Sequence, residues 1–143
     1  MAINFATPVF LAQAFAAQAP AGRSSIVNIL DQRVLKPTPL FFSYGLSKAA
    51  LLSATQILAQ ALAPRIRVNA VGPGPTLKSA RQDTADFAKQ NAGVLLGRGP
   101  EPEEVASAVL YLSKARSVTG QMIAVDGGQH LAWETPDVVG IHE

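Results

Sequence analysis

The sequence of 143 residues contains no cysteine. Disulfides and thiolate metal sites are therefore excluded, and a reducing, cytoplasmic setting fits. Histidine is almost as scarce. His130 and His142 are the only two, too few and too isolated for a ligand cluster, so no metal is expected. Charge is thin as well, at 15% of residues, with 12 Lys and Arg against 10 Asp and Glu. The basic residues are scattered and form no stripe with interleaved aromatics, which argues against a nucleic-acid partner. No apolar run reaches the roughly 18 residues needed to span a bilayer, so no membrane partner is expected either. The opening stretch "MAINFATPVFLAQAFAAQAPAG" has the look of a secretory signal. However, no basic residue lies near Met1, and Asn4 and Gln13 interrupt the apolar run, so it reads as an Ala-rich helix.

Apolar residues are plentiful. At 48% hydrophobic, the chain has enough to bury the core of one domain and is no disordered tail. Ile3 to about Gln18 reads as a helix with Pro8 near its first turn. Ile26 to Leu30 is a short run rich in β-formers and reads as a buried strand. Pro37 and Pro39 make the stretch from Asp31 to Phe42 a loop. A long Ala-rich helix from Ser43 to about Ala63 stops at Pro64. A second strand, Ile66 to Val71, runs into a Gly-Pro-Gly-Pro loop. Lys78 to Gly99 is polar and mixed, with room for a short helix and a mobile segment. A third helix opens at Pro100 or Pro102 with acids in its first turn, and "TGQMIAVDGG" is a third strand. Strands separated by helices predict a parallel sheet with right-handed crossovers, hence an α/β fold. The strand at Ile26 is left with one open edge, an association hazard.

The stretch "NILDQRVLKPTPLFFSYGLSK" concentrates the chemistry. Tyr44 and Lys48 stand at i and i+4 and share a helix face, and Asp31 lies thirteen residues before the tyrosine. A phenol ionises near 10 in solution, and a neighbouring ammonium lowers that value by stabilising phenolate.

Taken together, the motifs resemble the short-chain dehydrogenases/reductases. The Tyr44-x-x-x-Lys48 pair matches the family's catalytic helix. "MAINF" is similar to its Asn-bearing helix start and "IVNI" to the strand before the catalytic loop. "VNAVGPGPT" matches the loop beside the nicotinamide, and "LGRGPEPEEVASAVLYL" with "SVTGQMIAVDGG" matches the closing helix and strand. The resemblance runs from about Ile3 to Gly128 but covers only the second half of a family member. It implies the C-terminal half of a Rossmann-type three-layer sandwich, with about three strands and three to four helices, completed by oligomerisation or by an N-terminal half. On that view residues 1–143 are one partial domain, of which 129–143 is a tail. It implies Tyr44 as proton donor, Lys48 tuning it and bonding the nicotinamide ribose, and Asn4 as a structural and proton-relay residue. Pro73, Gly74 and Thr76 fall on the cofactor loop, and the cofactor is NADP or NAD.

Asp31 departs from the family, most of whose members carry serine there. A carboxylate is a poor partner for an oxyanion and a good one for a protonated ring nitrogen. That replacement resembles the pteridine reductases and related dihydropterin or dihydrofolate reductases, and implies that Asp31 contacts a pterin-like substrate. Asn28 and Asn69 read as structural, and Trp133 as either a substrate-facing residue or a subunit contact, with interface packing the blander of the two.

No Gly-x-x-x-Gly-x-Gly turn follows an early strand, so the family's pyrophosphate cradle is missing from the expected place. The expectation is the catalytic half of a pteridine-type reductase, inactive by itself and homo-oligomeric. The alternatives are a non-catalytic oligomerisation module and half of a general carbonyl reductase or alcohol dehydrogenase.

Overall fold

A computed structural model describes residues 1–20, 24–80 and 82–141. His142 and the segment between Pro20 and Ser24 lie outside the described residues. Three parallel strands, β1 (Ser24–Ile29), β2 (Ile66–Pro73) and β3 (Met122–Val125), form a sheet in the order β1-β2-β3. Helices α1 (Thr7–Gln18), α2 (Phe42–Leu62), α3 (Thr84–Ala92) and α4 (Pro102–Lys114) complete the described elements together with short turns.

The period-2 alternation of β2 builds the layers. Ile66, Val68 and Ala70 pack with Ala16 of α1 and with Leu51 and Ala59 of α2. On the opposite face Arg67 and Asn69 reach the carbonyls of Leu112, Ser113 and Val118, at the end of α4 and beyond. With helices on both faces, Val68, Asn69, Ala70 and Val71 are all 0% exposed. This is the α/β half-sandwich expected from the order of elements.

Local chemistry explains most element ends. In α2, Ser47, Leu51, Thr55 and Ala59 recur every four residues as one buried stripe, and Pro64 follows soon after the last turn. Asn28 ties β1 to that stripe by donating to Thr55 Oγ1 at 2.9 Å. Asp83 caps α3, accepting from Ala85 N at 2.8 Å. A capping box between Glu101 and Glu104 opens α4. The first helix differs from its expected form. Residues Ala2–Ala6 make a π turn, and the α-helix proper begins at Thr7, one residue before Pro8, which lacks the N–H an interior position would use.

β1 bonds only to β2, and its far edge faces no strand among the described residues. A groove of about 380 Å³ runs between that edge and α1, lined by Leu11, Phe15, Ile26 and Val27 among others.

Candidate active site

The site lies at the C-terminal ends of β1 and β2, where the chain leaves the sheet through Leu30–Asp31 and Pro73–Gly74. A cleft of about 810 Å³ opens there, lined by Asp31, Arg33, Phe41, Tyr44, Pro73, Gly74 and Thr76, with α3 residues on the far wall.

Asp31 caps a 3-10 turn, Gln32–Val34, that the sequence reads as plain loop. Its Oδ1 accepts from Arg33 N at 2.8 Å. The second oxygen accepts the Tyr44 hydroxyl at 2.9 Å and pairs with Arg33 Nη1 at 3.1 Å. One carboxylate thus holds the turn with one oxygen and the phenol with the other, while only 9% of the residue is exposed.

Tyr44 and Lys48 are presented by the first turns of α2, beside its buried stripe. Lys48 Nζ sits 5.8 Å from the Tyr44 ring centroid and donates to Ile29 O at 2.8 Å. The balance of charge differs from the sequence expectation. Burial, and then the adjacent Asp31 carboxylate, push the phenol above its ordinary value, against a smaller lowering by Arg33. Lys48 is itself lowered by burial, with Asp31 opposing. Burial disfavours the phenolate first, and the carboxylate that touches the hydroxyl adds to it, while the ammonium lies beside the ring.

The remaining expected residues divide. Pro73, Gly74 and Thr76 line the cleft, and Thr76 Oγ1 donates to Gly74 O at 3.1 Å. Gly74 is required by the fold in its own right, because a Cβ there would meet Asp126 Cα at 2.6 Å. Asn4 lies in the π turn and, among the described residues, its side chain has no hydrogen-bond partner. Neither Asn4 nor Lys48 lines the cleft.

Sequence reasoning missed three features. Arg33 is the ion-pair partner of Asp31, signalled only by a basic residue two positions after an Asx-type cap. Phe41 occupies the left-handed region at φ 59°, uncommon for a non-glycine residue, and its ring lies 5.4 Å beneath the Arg33 guanidinium. His130, isolated in sequence, pairs with buried Asp126 at 2.7 Å, and Asp126 also accepts from Gly128 N and His130 N. No group of three potential metal ligands occurs among the described residues.

A Gly-x-x-x-Gly-x-Gly spacing does occur at Gly93, Gly97 and Gly99, but it joins helix α3 to helix α4 instead of a strand to a helix. Glu101 caps α4 and Glu103 and Glu104 fill its first turn, which repels a phosphate from the one helix start available there.

The chain belongs to the short-chain dehydrogenase/reductase family, since the family model described as enoyl-(acyl carrier protein) reductase matches residues 1–130. Among individual relatives, protein FixR of Bradyrhizobium diazoefficiens is 38% identical over 133 residues, 90% of this chain and 48% of its own length. A dihydromonapterin reductase of Citrobacter koseri is 36% identical across 76% of this chain and 45% of its own length. The crystal structure of FolM alternative dihydrofolate reductase 1 from Brucella suis, in complex with NADP, superposes with a TM-score of 0.92 at 56% identity. That match covers 96% of this chain and 56% of the other. The chain therefore spans about half the length of the curated relatives it matches.

Proposed function

We propose that this chain is the substrate-holding and proton-delivering half of an NADP-dependent reductase of reduced pterin rings, of the dihydropterin or dihydrofolate type. The observation that carries the reading is the Asp31 carboxylate accepting the Tyr44 hydroxyl at 2.9 Å on the wall of an 810 Å³ cleft. The similarity to an alternative dihydrofolate reductase complexed with NADP and to dihydromonapterin reductases supports it.

In reduction of a ring C=N bond, hydride reaches carbon and a proton must reach nitrogen. Tyr44 is held as the neutral phenol by burial and by Asp31, which is the form a donor needs. Tyr44 gives its hydroxyl proton to the ring nitrogen and the phenolate left behind takes one back from solvent, while Asp31, acceptor-only in its ionised form, orients ring N–H groups of the substrate. The Arg33 pair and the 3-10 turn fix its two oxygens. The nicotinamide cofactor supplies the hydride when bound. Pro73, Gly74 and Thr76 form a wall of the cleft that fits such a group, and Lys48, one turn along α2 from Tyr44 and outside the lining, spends one of its three N–H donors on Ile29 O. Among the described residues no glycine turn leads a strand of the sheet into a helix beside the cleft, and the acidic start of α4 does not suit the pyrophosphate. For that reason the 143-residue chain by itself turns over no NADPH.

The test is calorimetric titration of 7,8-dihydrofolate into the chain and into its Asp31→Ser variant. Binding should weaken at least about tenfold in the variant, roughly 1.4 kcal/mol. In an enzyme completed with a dinucleotide-binding half, pterin reduction should fall by a similar factor while reduction of simple ketones holds steady. Unchanged pterin binding removes Asp31 from substrate recognition and favours a general carbonyl reductase. Absence of any pterin binding by the parent chain favours a non-catalytic association module, a reading suggested by the exposure of Phe10 and Leu11 on α1.

A further inference from the structure

The end of the sheet opposite Asp31 and Tyr44 carries a second concentration of charge. The first residues of β1 and β2 lie side by side there, with Ser24 in register with Ile66. A pocket of about 340 Å³ at this end is lined by Ser24, Pro64, Arg65, Arg67, Arg116 and Ser117. It brings three guanidiniums together and no carboxylate. The ion pairs among the described residues, Arg33–Asp31, Arg98–Glu104 and His130–Asp126, involve none of them.

Two of the three cations are fixed by backbone. Arg65 Nη2 donates to Ala16 O at 2.8 Å, in the last turn of α1. Arg67 donates to Leu112 O at 2.8 Å and Ser113 O at 2.6 Å, at the end of α4, and to Val118 O at 3.1 Å in the loop after it. Capping of the α4 C-terminus and a bond to the following loop account for Arg67, which makes two bonds of the first kind and one of the second. They leave Arg65 with one of five N–H donors engaged and Arg116 with none among the described residues. Each helix end carries only about half a negative charge, so three cations are not neutralised by two of them.

The remaining donors suit an oxyanion. Guanidinium forks match the oxygens of phosphate in pairs. The Ser24 and Ser117 hydroxyls, neither bonded to another group among the described residues, add neutral donors. The lining holds no aromatic side chain on which a base could stack, which argues against single-stranded nucleic acid. The anchored planes of Arg65 and Arg67 also mean that less side-chain entropy is lost when an anion arrives.

We propose that this pocket binds the phosphate group of a small phosphorylated molecule, at a site separate from the reductase cleft. The test is a titration of the isotope-labelled chain followed by amide and arginine side-chain NMR shifts, at ionic strength held constant with sodium chloride. Inorganic phosphate is used in one arm and glycerol 3-phosphate in the other. Saturable shifts confined to residues 24, 65–67 and 116–117, with a midpoint at or below roughly 1 mM, are expected. Tighter binding of the ester identifies a phosphorylated metabolite as the occupant, and equal binding identifies free phosphate.

Arg116→Gln should weaken the midpoint at least about tenfold without changing the thermal unfolding midpoint measured in the absence of phosphate, because the Arg116 side chain holds no bond among the described residues. Lys114→Gln, on the last turn of α4 and outside the lining, should leave binding unchanged. Linear, unsaturated shifts, or equal losses in the two variants, would overturn the proposal in favour of diffuse counter-ion attraction. Binding of a polyglutamate peptide without saturation by either phosphate would overturn it in favour of an acidic protein partner.

Discussion

At the scale of single residues the decisive contact is the one oxygen of Asp31 shared by a phenol and a guanidinium. The sequence pairs Tyr44 with Lys48, and from that pairing a lowered phenol follows. The fold buries part of the phenol, puts Lys48 beside the ring with Nζ bonded to Ile29 O, and turns the hydroxyl to a carboxylate, so burial first and then Asp31 move the phenol upward. A phenol raised in the folded state contributes stability that is whole below its unfolded value of about 10 and lost as pH rises toward the folded value. With Tyr111 replaced by phenylalanine, Tyr44 is the only phenol. In that background its tyrosinate absorbance should rise together with alkaline unfolding by circular dichroism. Asp31→Asn removes the carboxylate's contribution, and the absorbance should then rise at lower pH, ahead of unfolding. Coincident curves in both proteins would remove Asp31 from control of the phenol. Asp31, Tyr44 and Lys48 were legible because their separations along the chain mark one helix face and the loop before it. Arg33 and Phe41 were not, since an ion pair two residues long and a left-handed φ leave no periodic trace.

At the scale of elements, apolar runs and proline breaks placed β1, β2, α2 and α4 within about two residues, while β3 is shorter than the stretch expected for it and α1 begins four residues after Ile3. The π turn at Ala2–Ala6 and the 3-10 turn after Asp31 were missed, because each depends on backbone bonding that side-chain pattern does not report. The start of α4 was legible from "PEPEE", and its energetics are testable. Glu104 accepts from both N–H groups of the Arg98 fork, at 2.7 and 2.9 Å, and from Glu101 N at 2.8 Å. These bonds, Arg98 first, pull its carboxyl down to about 2. A carboxyl lowered on folding adds stability that is present above its ordinary value of about 4.3 and lost as pH falls through the folded value. Glu104→Gln should therefore lower the thermal midpoint at pH 7, and the gap from the parent should close by pH 2. A gap of constant size across that range would show that the charge contributes nothing and that only the amide-compatible cap matters.

At the scale of the whole molecule, apolar surface left outside the core is the dominant fact. Phe10 is 65% exposed, Leu11 64% and Ile57 63%, on the two helices that share one face of the sheet. The groove along the free edge of β1 adds to this surface. Patches of this kind on a small domain mark contact surfaces, so the chain should self-associate. Light scattering at micromolar concentration should report a mass above 15.0 kDa, and a monodisperse monomer would contradict the expectation. Phe10→Ser together with Leu11→Ser should shift the equilibrium toward monomer.

The one-sided bonding of β1 also fixes how the sheet breathes. β2 is hydrogen-bonded along both edges and its centre is fully buried, so its amides can reach solvent only when the domain opens as a unit. Alternate amides of β1 point to the unpaired edge and need no such event. In deuterated water they should exchange orders of magnitude sooner than those of Val68 to Val71, within the same sheet and three to four residues of fully protected positions. Uniform protection across both strands would mean that the edge is occupied in solution, and the protected positions of β1 would then trace the outline of whatever lies against it.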